Sequence, residues 1–115
     1  MNIERLAQET RALFENRIVS REIIGKLYEE YNPNLGDARK FLEAAEHLFP
    51  QLNCGLASIY LAHQISSEAE VVRGTFSQER HTFLKVGGRI LDITADQYGG
   101  PSVYAGPIRP PWRES

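Results

Sequence analysis

Two adjacent glycines, Gly87 and Gly88, lie between two short segments that are rich in β-branched and aromatic residues. Glycine adopts positive φ readily, and the two-residue turns that join antiparallel strands require it. We therefore predict that 81–86 and 89–94 form a β-hairpin, and that 71–76, of similar composition, forms a third strand. A chain with this feature must place an antiparallel sheet in its second half.

The first half of the chain has apolar residues at helical spacing instead. Helices followed by antiparallel strands predict an α+β fold. The residues expected to mark or line the helices are Ile3, Leu6, Ala7, Leu13 and Phe14 in the first; the N-cap Ser20 with inward-facing Ile23, Ile24, Leu27 and Tyr31 in the second; the N-cap Asp37 with Ala38, Phe41, Leu42, Ala45 and Leu48 in the third; and 54–64 as the fourth.

The length of 115 residues suits one domain. We divide it into a helical N-terminal part (1–50), a core that carries the candidate site (51–98) and a Gly/Pro-rich C-terminal strap (99–115). Within the strap, a short edge strand is expected near 102–105.

Charge and hydropathy argue against several classes of protein. The net charge of -2, without a Lys/Arg cluster, gives no basic face for nucleic acid. No apolar run approaches the roughly 18 residues of a membrane span. The N-terminus lacks the pattern of a signal peptide, so a cytoplasmic location is expected, although export by a signal-independent route would look the same.

The single cysteine, Cys54, excludes an internal disulfide. The three histidines (His47, His63 and His81) lack the paired spacings of metal sites, so neither a metal nor another cofactor is expected. Cys54 follows Asn53, a favoured N-cap residue, and precedes Gly55, which leaves the approach uncrowded. In the first turn of a helix, unpaired N–H groups and the helix dipole favour a thiolate, and the N–H of Cys54 can face an oxyanion.

The hairpin register places two polar residues together. With Gly87-Gly88 at the turn, Phe83 lies opposite Asp92, and His81 shares the face of Phe83. His81 and Asp92 become diagonal neighbours about 7–8 Å apart at the backbone. The apolar residues of the two strands fall on the other face: Leu84, Val86, Leu91 and Ile93.

A carboxylate beside a histidine stabilises its imidazolium, which in turn activates a thiol. Cys54, His81 and Asp92 are therefore the predicted nucleophile, base and orienting acid. Asp96 shares the parity of Asp92 and is the alternative acid. The structural interpretation is a core histidine with a surface aspartate.

Further residues are candidates for lining the site. Gln51 and Asn53 precede the cysteine and could donate to an oxyanion, although Asn53 is more simply a helix cap. Gln97 and Tyr98 follow the third strand and could line a cleft, although turn residues would look the same. His63 is expected at the surface and His47 at a helix C-terminus.

The stretch from Cys54 to Asp96 resembles the transglutaminase-like branch of the papain-like superfamily. That branch has a cysteine opening a helix, a V-x-G strand, an H-x-aromatic strand and D-x-T; here these are Cys54, 72–74, 81–83 and 92–94. The aromatic residue is usually Trp there and is Phe83 here, and the Cys-to-His interval is short. The resemblance implies a papain-like core with Cys54, His81 and Asp92 as the triad.

The expected activity is hydrolysis of amides in a protein or peptide through a thioester, by glutamine deamidation or by proteolysis. A Gly/Pro-rich tail packed across one end of the cleft would leave a narrow slot, which favours deamidation slightly. The second hypothesis is acyl transfer to an amine, as in transglutaminases or acetyltransferases. The third is a binding module that keeps the fold without turnover.

Overall fold

The computed structural model describes residues 2–33, 38–65 and 68–114. Within them the chain forms four helices and then an antiparallel sheet, which confirms the predicted α+β class. The elements are α1 (Ile3–Glu15), α2 (Arg21–Tyr31), α3 (Arg39–Leu48), α4 (Cys54–Ile65), β1 (Ala69–Phe76), β2 (Glu79–Val86), β3 (Arg89–Asp92), a 3₁₀ turn (Ala95–Tyr98), β4 (Tyr104–Pro107) and β5 (Trp112–Glu114). None of the described helices is both long and apolar enough to cross a bilayer.

The first two helices begin at side-chain caps. The side chain of Asn2 accepts a hydrogen bond from the Arg5 N–H (3.0 Å) at α1. Ser20 caps α2 as predicted, with its hydroxyl accepting from the Ile23 N–H (3.3 Å). The predicted cap Asp37 lies outside the described residues.

Two of the four inward-facing predictions for α2 are wrong. Ile24 and Leu27 are buried, but Ile23 and Tyr31 are 46% and 45% exposed. Helix α2 packs against α4 and α3, and Ile23 and Tyr31 lie outside the part of its surface that is buried there. Leu48, in the last turn of α3, is likewise 52% exposed instead of buried.

The sheet has the strand order β4-β3-β2-β1-β5, and neighbouring strands are antiparallel. It curls until its two edge strands meet, since Tyr104 of β4 stacks on Trp112 of β5 with ring centroids 4.1 Å apart. The predicted edge strand near 102–105 is found at Tyr104–Pro107. Strand β5 was not predicted.

The two faces of the curled sheet bury different cores. The helix-facing side includes Leu84, Val86, Leu91 and Ile93, as the hairpin parity predicted. The concave side holds a separate cluster of Val72, Phe76, Phe83, Ile90, Ala95 and Trp112. At Gly74 a Cβ would collide with the backbone carbonyl of Arg113, so β5 can approach β1 only over a glycine.

Candidate active site

Cys54 is the first residue of α4, as predicted. The carbonyl of Asn53 accepts the helical hydrogen bond from the Ala57 N–H (2.8 Å). One turn later, the Ser58 hydroxyl donates to the Cys54 carbonyl (2.7 Å) and lies 3.3 Å from the carbonyl of Thr82. This side chain therefore ties the start of α4 to strand β2, beside the histidine.

The hairpin has the predicted turn and register. Gly87 and Gly88 both have positive φ (55° and 80°), and the strand pairs run from Val86–Arg89 to Leu84–Leu91. The ladder with β2 ends one pair before the predicted Phe83–Asp92, and on its other edge Asp92 pairs with Tyr104 of β4. His81 and Asp92 nevertheless lie on the same face of the sheet, as predicted.

The parity brings His81 and Asp92 into contact. Nε2 of His81 lies 2.7 Å from Oδ2 of Asp92, and both residues are only 2% exposed. The rings of Phe76, Phe83 and Tyr98 surround the imidazole, with centroids 5.4 to 6.1 Å away. The pair is therefore held in a nearly water-free environment, where its interaction is strong.

Both oxygens of the Asp92 carboxylate accept hydrogen bonds. Oδ2 also accepts from Nε1 of Trp112 (2.8 Å), and Oδ1 accepts from the N–H (2.9 Å) and hydroxyl (3.4 Å) of Thr94. The Thr94 contacts give a structural reason for the Asp-x-Thr pattern. These hydrogen bonds fix the orientation of the buried carboxylate.

The alternative acid, Asp96, is engaged elsewhere. Its two oxygens each lie 2.7 Å from a guanidinium nitrogen of Arg11, which also donates to the carbonyl of Ile93 (2.8 Å). Arg11 packs over the ring of Phe49 as well. Asp96 thus anchors the segment after β3 to α1, and Asp92 is the carboxylate that contacts His81.

Cys54 and His81 shift each other's protonation. Burial raises the pKa of the Cys54 thiol, but the polar groups and charge of neighbouring His81, with the polar groups of Thr82, outweigh burial and lower it. Burial lowers the pKa of His81, but the hydrogen bond with Asp92 and the proximity of Cys54 raise it to about 9. Each group therefore favours the charged form of the other, a thiolate beside an imidazolium.

The ring nitrogen that can serve Cys54 is Nδ1, since Nε2 is held by Asp92. Nδ1 is buried, and among the described residues it has no fully formed hydrogen bond. Catalytic hydrogen bonds are often long or poorly aligned without substrate and tighten when it binds.

A cleft of about 560 Å³ opens over Cys54, while His81 and Asp92 lie beneath it. Its lining comes from α2, α3, the segment before Cys54, α4, β1, β2 and the 3₁₀ turn. The described lining consists of Tyr28, Tyr31, Asn32, Phe41, Gln51, Leu52, Cys54, Gly55, Leu56, Ile59, Val71, Arg73, Thr82, Gln97 and Tyr98. Burial and then the charge of Cys54 raise the pKa of the Tyr98 phenol.

Four of the five predicted lining residues, Gln51, Gly55, Gln97 and Tyr98, border this cleft. Asn53 does not. Its side chain is buried, and Nδ2 donates to the carbonyls of Ala45 (2.8 Å) and Gln51 (2.7 Å). With both amide protons engaged, Asn53 cannot donate to a substrate oxygen and instead holds the segment before the nucleophile against α3.

Gln97 differs from Asn53 in this respect. Its Nε2 is buried, and no hydrogen-bond partner for it exists in the described parts of the chain. A buried amide nitrogen without a partner is costly and calls for an explanation, such as a ligand that it binds. Gln97 is therefore the predicted residue with a donor to spare beside the cleft.

The C-terminal strap does not behave as expected. None of its described residues (99–114) borders the cleft, because they form the two edges of the sheet instead. The expectation that the strap would narrow the cleft to a slot is wrong.

Several residues at the site were not identified from the sequence. Thr82 contacts Cys54, Trp112 contacts Asp92, and Tyr31 and Leu52 border the cleft.

Among residues 2–33, 38–65 and 68–114, no three His, Cys, Asp or Glu side chains are placed to hold a metal ion. Comparisons with protein-family models, curated proteins and solved structures found no match to this chain.

Proposed function

We propose that this protein is a cysteine hydrolase of amide bonds in peptide or protein substrates. The observation that carries the proposal is the arrangement of Cys54, at a helix start under an open cleft, with His81, whose other ring nitrogen is held by buried Asp92. A structural cysteine or a merely satisfied histidine would not require the third group. The resemblance of 54–96 to transglutaminase-like enzymes supports the same assignment.

The first half-reaction forms a thioester. The thiolate of Cys54 attacks the amide carbon, and the carbonyl π electrons move onto oxygen to give a tetrahedral oxyanion. The oxyanion collapses, the C–N bond breaks, and imidazolium His81 gives its proton to the departing nitrogen. The products are a free amine and an acyl group on Cys54, with His81 now neutral.

The second half-reaction restores the enzyme. Neutral His81 removes a proton from water, whose oxygen attacks the thioester carbon. The C–S bond breaks, the acid leaves, and the thiolate–imidazolium pair returns. Asp92 holds the ring in one orientation and stabilises its charge in both halves.

Two donors support the oxyanion in this proposal. The N–H of Cys54 lies in the first turn of α4, where it has no helical partner. Gln97 supplies the second donor, since its Nε2 lacks a partner among described residues and the side chain borders the cleft. Gln51 is the competing candidate.

The shape of the cleft favours backbone cleavage over glutamine deamidation. Deamidation needs a slot for one side chain, whereas a protease must admit an extended chain. The cleft is open, and the strap that was expected to narrow it lies at the sheet edges. The same thioester can pass its acyl group to an amine, so acyl transfer remains the alternative outcome of the chemistry.

The test is mass spectrometry of a complex peptide mixture incubated with wild-type protein, with Cys54→Ala as the matched control. New termini that appear only with the wild type support proteolysis. A gain of about one dalton per site with ammonia release indicates deamidation, and adducts with an added primary amine indicate acyl transfer. Identical mixtures for both proteins would overturn the proposal.

A further inference from the structure

We infer that the substrate is an extended peptide with a large apolar side chain beside the scissile amide, held between Leu52 and Tyr31. This inference rests on the proposed function and specifies its substrate class.

Leu52 is the first observation that leads there. It has φ +67°, in the left-handed region, which branched and bulky side chains avoid. It is also 44% exposed and borders the cleft two residues before Cys54. The backbone of Leu52 is thus strained, while its apolar side chain lies partly exposed at the cleft. Strain of this kind clusters at ligand-binding sites, where the bound ligand makes use of it.

Tyr31 is the second observation. It is 45% exposed at the C-terminal end of α2 and borders the same cleft. The cleft is also lined by the apolar side chains of Ile59, Val71 and Phe41. Among the described lining residues only Arg73 carries a charge. Such a surface gains free energy by covering apolar groups and not by pairing charges.

The dimensions of the cleft indicate the kind of occupant. A volume of about 560 Å³ is in the range that holds a drug-sized ligand, well beyond one side chain. Strand β5 pairs with β1 only at Gly74–Phe76, so no described strand covers the outer edge of 69–72, where Val71 borders the cleft. A free strand edge beside an apolar cleft suits a peptide in extended conformation, with its backbone along the edge and alternate side chains in the cleft.

The variants that test this role are Leu52→Asn and Tyr31→Ser. Asparagine tolerates the left-handed conformation, so Leu52→Asn removes the apolar group without adding strain. The matched control is Ile23→Ser, because Ile23 lies on the same helix as Tyr31, is 46% exposed, and does not border the cleft. Each variant is incubated with the peptide mixture, and cleaved sequences, KM and thermal stability are measured.

The expected wild-type result is a strong preference for Leu, Phe, Tyr, Met or Ile within two residues of the cleaved bond. Leu52→Asn and Tyr31→Ser should each raise KM for such peptides about tenfold or more and flatten the preference, with kcat little changed. Leu52→Asn should be as heat-stable as the wild type or more so. Ile23→Ser should leave KM unchanged.

Cleavage that depends on Cys54 but shows no apolar preference, or KM unaffected by both variants, would overturn this inference and leave the proposed function standing. An equal rise of KM in Ile23→Ser would overturn it too. Absence of any Cys54-dependent product would overturn both. Reaction of Cys54 with iodoacetamide at wild-type rates in the variants shows that a change in KM does not come from a damaged nucleophile.

Discussion

Nε2 of His81 lies 2.7 Å from Oδ2 of Asp92, and the contact is buried beneath the cleft that exposes Cys54. Because this carboxylate occupies one ring nitrogen, the imidazole can serve the thiol only through the other. The same contact raises the pKa of His81 to about 9, together with the interaction with Cys54. The protonation state of Cys54 thus depends, through His81, on a buried carboxylate that does not border the cleft.

Replacing this carboxylate should impair chemistry far more than it lowers stability. We expect Asp92→Asn to lower kcat by about 10³- to 10⁴-fold, because an amide no longer stabilises the imidazolium and favours the wrong tautomer. The measurement is kcat on a cleaved peptide, with folding checked by circular dichroism.

The matched control is Asp96→Asn. Asp96 pairs with Arg11 and does not contact His81, so its loss should cost stability of about 1–2 kcal/mol and change turnover per folded molecule far less. Unchanged turnover in Asp92→Asn with loss in Asp96→Asn would assign the role to Asp96.

The hairpin parity explains why His81 and Asp92 could be predicted. The turn at Gly87 and Gly88 sets the register, and a period of two then decides which side chains share a face. These are local properties, visible within 12 residues. They hold although the ladder itself ends before Asp92.

Contacts between distant segments could not be predicted in this way. Trp112 reaches Asp92 only because the tail returns to pair with β1, and a three-residue strand among prolines has no alternation to reveal it. Asn53 is a residue type that commonly caps helices, but its side-chain amide donates a hydrogen bond to a carbonyl eight residues away, on α3. Tyr31 fits an apolar stripe and gives no sign that its end of α2 borders a cleft.

The raised pKa of His81 predicts how activity depends on pH. The value of about 9 means that imidazolium persists through neutral pH. On the alkaline side of the profile, kcat/KM should therefore fall as pH rises through about 9, because the leaving group then loses its proton donor. A decline centred near the ordinary histidine value of about 6.5 would contradict the ion pair.

Stability should follow the same group. Folding favours the protonated form of His81, so its contribution is fully present below the unfolded pKa of about 6.5 and is lost as pH rises through about 9. Denaturant unfolding of the wild type and of His81→Gln across this range measures it. The difference between the two proteins should shrink as pH rises, and a constant difference would argue against the assignment.

Gln97 should act on the rate through its amide nitrogen, which has no hydrogen-bond partner in the described parts of the chain. Gln97→Met keeps the length of the side chain but removes the donor, and loss of one oxyanion donor lowers kcat by about 10²-fold or more. The labelling rate of Cys54 should not change, since the thiolate does not depend on this donor. Gln51→Met is the control, and a larger loss in that variant would assign the donor to Gln51.

Trp112 should stabilise the fold through Asp92. Trp112→Phe keeps an aromatic ring in the concave core but leaves Oδ2 of the buried carboxylate with one donor fewer. We expect the free energy of unfolding to fall by about 1–3 kcal/mol. Tyr104→Phe is the control, because it preserves the stack on Trp112 and removes only an exposed hydrogen bond to the Pro107 carbonyl. Equal effects of the two substitutions would contradict the role.

The most direct test of the account is the rate at which iodoacetamide labels Cys54 at about pH 5.5, where an ordinary thiol of pKa about 8.5 is almost fully protonated. Because the chain has one cysteine, intact mass reports that residue alone. The wild type should be labelled far faster than free cysteine, and His81→Gln and Asp92→Asn should lose most of that advantage. Labelling of the folded wild type no faster than free cysteine, or unaffected by either substitution, would contradict an activated nucleophile.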